Sequence, residues 1–311
     1  DVGRVRALVL LGRLDEALAA AERVLPAFDD APDHPDRAAV QTLQARVALF
    51  RGDTHTAEGL LDAVITRLRP QPDLPPTHPE RLADALRVLG LLVMSSDVTR
   101  SEKLLRESLE WADAAGAGGM WAETGGFLAT VLSLQGRHEE ASMVLADALA
   151  SPSAQARALR ASLLNIQAEL LRVSGRLHDA VPFYEEAVTL LEQVGSLEAA
   201  VPRLNLAMIA AIDERFDEAW ALAERCGHEG TVQGRPPLQL AVRAVLLVAA
   251  LGLQYPEAAA EQAEQFLALD EAGATSEAEV YDLAEKGADM LQSQGLGDLA
   301  VAVRRAVQRR R

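Results

Sequence analysis

LGRLDEALAA, residues 11–20, decides the fold. Gly12 and Arg13 stand where a helix stops, Asp15 and Glu16 open the next one, and Ala17 follows them. A single copy fits any helix–turn–helix, so the reading rests on recurrence. RGDTHTAEGLL brings Ala57 to the same place, QGRHEEASMVL Ala141 and SGRLHDAVPFY Ala180. DERFDEAWALA brings Ala219, GLQYPEAAAEQ Ala258 and QGLGDLAVAVR Ala300. SSDVTRSEKLL is a degenerate copy with Ser101 in the anchor place. Successive separations are 40, 44, 40, 39, 39, 39 and 42 residues.

Self-similarity at a period of roughly 20–50 residues is the signature of a solenoid. Each copy has one grammar: a first helix, a Gly or polar stop, a short turn, and a second helix opening on acids. Gly12, Gly52, Gly136, Gly175 and Gly295 are placed to take the left-handed conformation that ends the first helix. The small anchor lets the two helices cross closely. Twelve residues before it lie Ala45, Ala129, Ala168, Ala207 and Ala288, which extends the small face into the first helices. The expected fold is all-α: an α-solenoid, a right-handed superhelix of about eight antiparallel helix pairs, with residues 1–311 as a single array.

Composition excludes several function classes. Of the 311 residues, 49% are hydrophobic but only 4% aromatic, which suits helices packed on small side chains. Thirty basic residues against 46 acidic ones leave a net charge of −16, the opposite of what a nucleic-acid surface needs. The exception is the tail RRAVQRRR, Arg304 to Arg311, read as a cationic helix end that suits its own dipole. Cys226 stands alone, so no intrachain disulfide or thiolate metal site forms, and a reducing cytoplasm is expected. LQLAVRAVLLVAALGL, residues 238–253, is broken by Arg243 and is too short to span a bilayer. No membrane and no nucleic acid are expected as partners of this chain. Asp1 is not Met, and DVGRVRALVLL opens in mid-helix without a cap, which leads us to expect a fragment of a longer protein.

The search for chemistry finds none. His34 and His78 precede Pro in loops between pairs, and His55, His138 and His178 lie in or beside turns within pairs. Such positions space out along a solenoid edge and do not converge as metal ligands must. The Gly-rich run AGAGGMWAETGG, residues 115–126, lacks a phosphate-loop ending and reads as a loop with a loosened helix start. RPQPDLPPTHPE, residues 69–80, reads as a stiff extended loop. No enzyme, cofactor or metal is expected.

LGRLDEALAAAERVL, QGRHEEASMVLADAL and SGRLHDAVPFYEEAVTLL resemble the tetratricopeptide repeat, whose second helix follows a Gly-basic-x-acidic-Glu-Ala turn. The long period and Asn205 resemble the kinesin-light-chain subtype, and the length resembles the sensor arm of the maltose-regulon activator. The resemblance implies a concave face lined by first helices, at positions 15, 11, 8 and 7 residues before each anchor. Carried over, it marks Arg46 and Phe50 in the second pair, Thr130 in the fourth, and Asn165, Glu169 and Arg172 in the fifth. It marks Leu204, Met208 and Ile212 in the sixth pair, and Arg243 and Leu247 in the seventh. The middle of this face is charged and its C-terminal half apolar. That half has two readings, an open groove or a face buried by tighter winding. The implied partner is a protein or peptide, or a small apolar or anionic ligand, held by a scaffold or regulatory module. The alternative is the ligand-sensing arm of a multidomain bacterial regulator or signalling NTPase. Changing Arg172 or Met208 is expected to weaken binding and spare helicity.

Overall fold

The computed structural model describes residues 2–10, 13–31, 34–69, 78–229, 232 and 234–310. Among them are sixteen α-helices and no strand. The chain divides into two compact units, Asp1–Leu159 and Arg160–Arg311. The first holds α1 (Val2–Leu10), α2 (Leu14–Val24), α3 (Pro35–Phe50), α4 (Thr54–Leu68), α5 (Pro79–Val93), α6 (Val98–Ala114), α7 (Gly118–Leu134) and α8 (His138–Ala150). The second holds α9 (Arg157–Val173, all but its first turn), α10 (Leu177–Gln193), α11 (Ala200–Ile212), α12 (Phe216–Gly227), α13 (Pro236–Gly252), α14 (Pro256–Glu271), α15 (Ala278–Ser293) and α16 (Gly297–Arg310). Odd-numbered helices are the first, and even-numbered ones the second, members of eight pairs.

The opening motif explains each pair. The residue four before the anchor caps the second helix, and its carbonyl accepts the anchor's N–H in all eight pairs. Four caps are arginines, and each reaches the acid three residues on: Arg13 to Glu16, Arg137 to Glu140, Arg176 to Asp179 and Arg215 to Glu218. The basic residue of the motif thus serves both helices: it caps the second, and its own N–H closes the first by donating to the carbonyl five residues back, as Arg13 does to Leu8 and Arg176 to Leu171. Those ion pairs are solvent-exposed, so water screens them and they orient the turn more than they stabilise it. Asp53 and Asp97 do the capping directly, accepting from the N–H of Thr56 at 3.0 Å and of Arg100 at 2.9 Å. One residue before the cap the chain turns left-handed, with φ between 62° and 83° at Gly52, Gly136, Gly175, Glu214, Gln254 and Gly295. Gly12 lies outside the described residues.

The anchors sit at the crossings: Ala17, Ala57, Ser101, Ala141, Ala180, Ala219 and Ala300 are at most 1% exposed. The seventh anchor is Ala259, fully buried, and not Ala258. Tyr255 caps α14, and Gln254 takes the left-handed place that Gly holds elsewhere, which moves the register on by one. In the degenerate third pair Ser101 replaces the methyl contact with a buried bond, its hydroxyl donating to the Gly90 carbonyl at 2.8 Å.

The Gly-rich run is a correction to the sequence reading. It contributes only a turn at 115–117, and α7 runs unbroken from Gly118. Its Gly125 serves packing: a Cβ there would come within 3.2 Å of Ala148 on α8. Residues 70–77 of the Pro-rich stretch lie outside the described residues. The tail makes a contact beyond the expected one. Arg309 and Arg310 both grip Asp270, at 2.7 and 2.8 Å, at the end of α14. They stand in the last turn of their own helix, as expected, and also serve that buried carboxylate.

In the second unit the core centres on α13, buried almost all round from Leu240 to Leu251. A helix apolar on every side has to sit inside. No helix among the described residues is long and apolar enough to cross a membrane.

Candidate functional site

In the first unit the first helices build a cleft of about 260 Å³. Arg6 and Val9 come from α1, Ala39, Leu43 and Arg46 from α3, Glu80, Arg81, Asp84 and Arg87 from α5, and Met120 from α7. Helical spacing aligns the α5 set, since residues 80, 84 and 87 follow one another on one face. Asp84 Oδ1 accepts from Arg46 Nη2 at 2.8 Å and from Arg87 Nη2 at 2.6 Å. Arg87 Nη1 donates to Glu123 at 2.8 Å. Burial pushes the Asp84 carboxyl up, but Arg46 and Arg87 outweigh it and hold it below the usual carboxylate range.

Of the residues marked in advance for this unit, Arg46 lines the cleft. Phe50 is 67% exposed and lies elsewhere on α3. Thr130 is half-buried and spends its hydroxyl on the Gly126 carbonyl. Sequence reasoning misses Arg6, Arg81, Asp84, Arg87 and Met120. Arg81, Asp84 and Arg87 lie 20, 17 and 14 residues before the Ser101 anchor, outside the marked places. The available signal was the charged i, i+4, i+7 row in an otherwise apolar helix.

In the second unit the marked polar residues converge on an ionic cluster. Arg172, 8% exposed, donates from Nε and Nη2 to Glu169 at 3.0 and 2.7 Å. It also reaches across to the start of α15, to Glu277 at 2.6 Å and Glu279 at 2.8 Å. The buried Tyr184 hydroxyl and the Asn205 amide donate to the other oxygen of Glu169. Burial opposes the charge on Arg172, yet Glu169 and Glu277 hold its pKa above the ordinary guanidinium value. Burial, then the Glu169 charge, raises Tyr184. Asn165 is half-buried on the same helix, with an Oδ1 that has no hydrogen-bond partner.

The apolar half of the expected groove is interior. Leu204, Met208 and Leu247 are 2%, 6% and 0% exposed. The corrected register explains Leu247: it stands twelve residues before Ala259, the place of the buried alanines in other pairs. Arg243 is half-buried, donates to Gln262 at 2.9 Å, and has its pKa lowered by burial. Ile212, at 41%, remains exposed at the end of α11. Arg172 and Met208 are both buried, so changing either bears on stability as well as on any binding.

Chemistry-bearing groups are dispersed. Among the described residues no three His, Cys, Asp or Glu side chains are placed to hold a metal ion. Cys226 is buried, and burial pushes its thiol up to about 11.

No family model matches the sequence, and no curated protein matches it. Solved structures do. The chain is similar to a Rap protein complexed with Competence and Sporulation Factor, at TM-score 0.65 and 14% identity over 99% of this chain and 84% of that one. It is similar to a Signal Transduction ATPase with Numerous Domains from Pyrococcus horikoshii that carries a tetratricopeptide repeat sensor. That match has TM-score 0.63 and 12% identity over 100% of this chain and 47% of that one. It is also similar to BtubC from P. vanneervenii, at TM-score 0.54 and 18% identity over 68% and 89% of the two chains. With the paired helices and recurring turns, these likenesses give the fold: it is the helix-pair repeat of the tetratricopeptide type.

Proposed function

We propose that this chain is a non-catalytic interaction module that holds a protein or peptide against the inner face of its first helices. One observation carries the reading: α1, α3, α5 and α7 all contribute side chains to one cleft. A surface assembled across four successive repeats suits an extended chain lying over them. The fold likeness to the Rap conjugation gene regulator of the plasmid pLS20 in complex with the Phr* peptide supports a peptide partner. A second reading, a ligand-sensing arm of a larger regulator, is favoured by the likeness to the ATPase with a repeat sensor. The lone, buried cysteine fits a cytoplasmic setting for either.

The test is peptide selection on the immobilised full chain, followed by affinity measurement on two variants. Met120→Trp fills the cleft without changing charge. Met143→Ala alters an exposed residue on the second helix of the same pair. At least tenfold weaker binding by the first variant alone, with unchanged circular dichroism, is the expected result. Equal affinity for both variants, or no selected peptide, rejects the inner-face reading.

A further inference from the structure

We propose that the first unit's cleft takes an oxyanion, a carboxylate or phosphoryl group, carried on a side chain of the partner peptide. The proposal rests on the interaction reading above and adds what that partner must present.

The cleft has more donors than acceptors. A guanidinium carries five N–H groups. Arg46 and Arg87 share a single carboxylate oxygen of Asp84, and only Arg87 has a second acid, Glu123. The Nε atoms of both arginines are buried and have no hydrogen-bond partner. Arg87 itself is 6% exposed, so its unmet donor lies where bulk water does not supply an acceptor. Among the described residues Arg81 comes no nearer to a carboxylate than 3.7 Å, at Glu80. Arg6 is exposed on the rim, with no ion pair among the described residues.

Charge and size narrow the ligand. Four arginines face the lining carboxylates Glu80 and Asp84 and the Arg87 partner Glu123, a local surplus of one positive charge in a chain of net charge −16. Such an inversion focuses potential on one spot and selects an anion. Guanidinium forks match the planar or tetrahedral oxygens of carboxylate and phosphate, often with two bonds at once. The cleft volume of about 260 Å³ lies below the roughly 300–1,000 Å³ usual for whole small molecules. It suits one acidic side chain, with Met120 offering apolar contact to that residue's neighbours.

The experiment uses the full chain, immobilised, and three amidated nonapeptide libraries. The central residue is fixed as glutamate, phosphoserine or glutamine, and the other positions are randomised without acids. At least tenfold greater retention of the glutamate or phosphoserine library over the glutamine one is expected. Which of the two is retained identifies the source of the oxyanion. The preference should fall at least fivefold in Arg6→Gln, which alters an exposed side chain and spares the fold. It should fall as far in Arg46→Gln, and shrink as salt rises from 50 to 300 mM. Equal retention of all three libraries, or a preference that survives the Arg6→Gln/Arg46→Gln double variant, overturns the proposal. If all three are retained equally and Met120→Trp abolishes retention, the interaction reading stands and only the oxyanion assignment fails.

Discussion

Arg172→Met removes the centre of the second unit's ionic cluster, and its cost follows from burial. The side chain is 6% exposed and meets Glu169, itself 28% exposed. Losing one partner of a buried pair costs about 3–5 kcal/mol. Here the cost falls to or just below the bottom of that range, about 2–3 kcal/mol, because the Tyr184 hydroxyl and the Asn205 amide still satisfy one oxygen of Glu169. Glu277 and Glu279 are 65% and 41% exposed, so water screens them and each adds about 0.5 kcal/mol at most. The expected total is about 3 kcal/mol. For a unit of this size that corresponds to a melting point lower by about 6–12 °C. Urea and thermal unfolding of the full chain, followed by circular dichroism, measure both quantities. The double variant Arg172→Met/Glu169→Gln should recover at least ~1 kcal/mol, since it no longer buries an unpaired carboxylate. A loss under about 1 kcal/mol, or strictly additive single changes, would refute the view that the cluster is a buried, coupled unit.

Three other perturbations separate competing effects. Gly252→Ala ordinarily favours a helix by up to ~1 kcal/mol; here the new Cβ would lie 2.2 Å from the Phe216 ring, so a net loss of about 1–3 kcal/mol in urea unfolding is expected. Glu214→Gly and Gln254→Gly relieve left-handed backbone at φ 63° and 62°, and each should raise stability by about 0.5–1 kcal/mol by the same assay. Burial raises the Asp270 carboxyl, but Arg309 and Arg310 outweigh it and depress its folded pKa. Its contribution is therefore complete above the unfolded value of about 3.9 and is lost as pH falls through the folded value. Asp270→Asn should destabilise at pH 7 and flatten the acid limb of stability against pH between about 5 and 2. An unchanged acid limb would show that the tail arginines do not hold that carboxylate.

Turn chemistry made the pairs legible. Gly, base, acid and Ala each leave a mark at fixed spacing, and seven of the eight anchors read from that spacing are buried. The seventh slipped by one because Gln254 does a glycine's work with no glycine's signature. The candidate site was less legible, for two physical reasons. An apolar stripe on a first helix looks the same whether it faces a groove or a neighbouring helix, so Leu204, Met208 and Leu247 gave no sign of being interior. Contacts between distant segments leave no local trace: nothing near Arg172 announces Glu277, 105 residues away. Arg46 was found because it lies eleven residues before its anchor, a marked place, whereas Arg87 lies fourteen before Ser101, at none of the marked places.

The bridge from Arg172 to Glu277 and Glu279 has a consequence for how the second unit comes apart. In an array whose repeats touch only their neighbours, stability sums along the line and the terminal repeat frays first. Here the first helix of the fifth pair is tied to the first helix of the eighth. The row of four pairs is thereby closed into a loop of contacts. The last pair cannot peel away without breaking the clasp, and the clasp cannot break without exposing a charge on the first. Amide protons of α9 and α15 should therefore open to solvent together rather than in sequence.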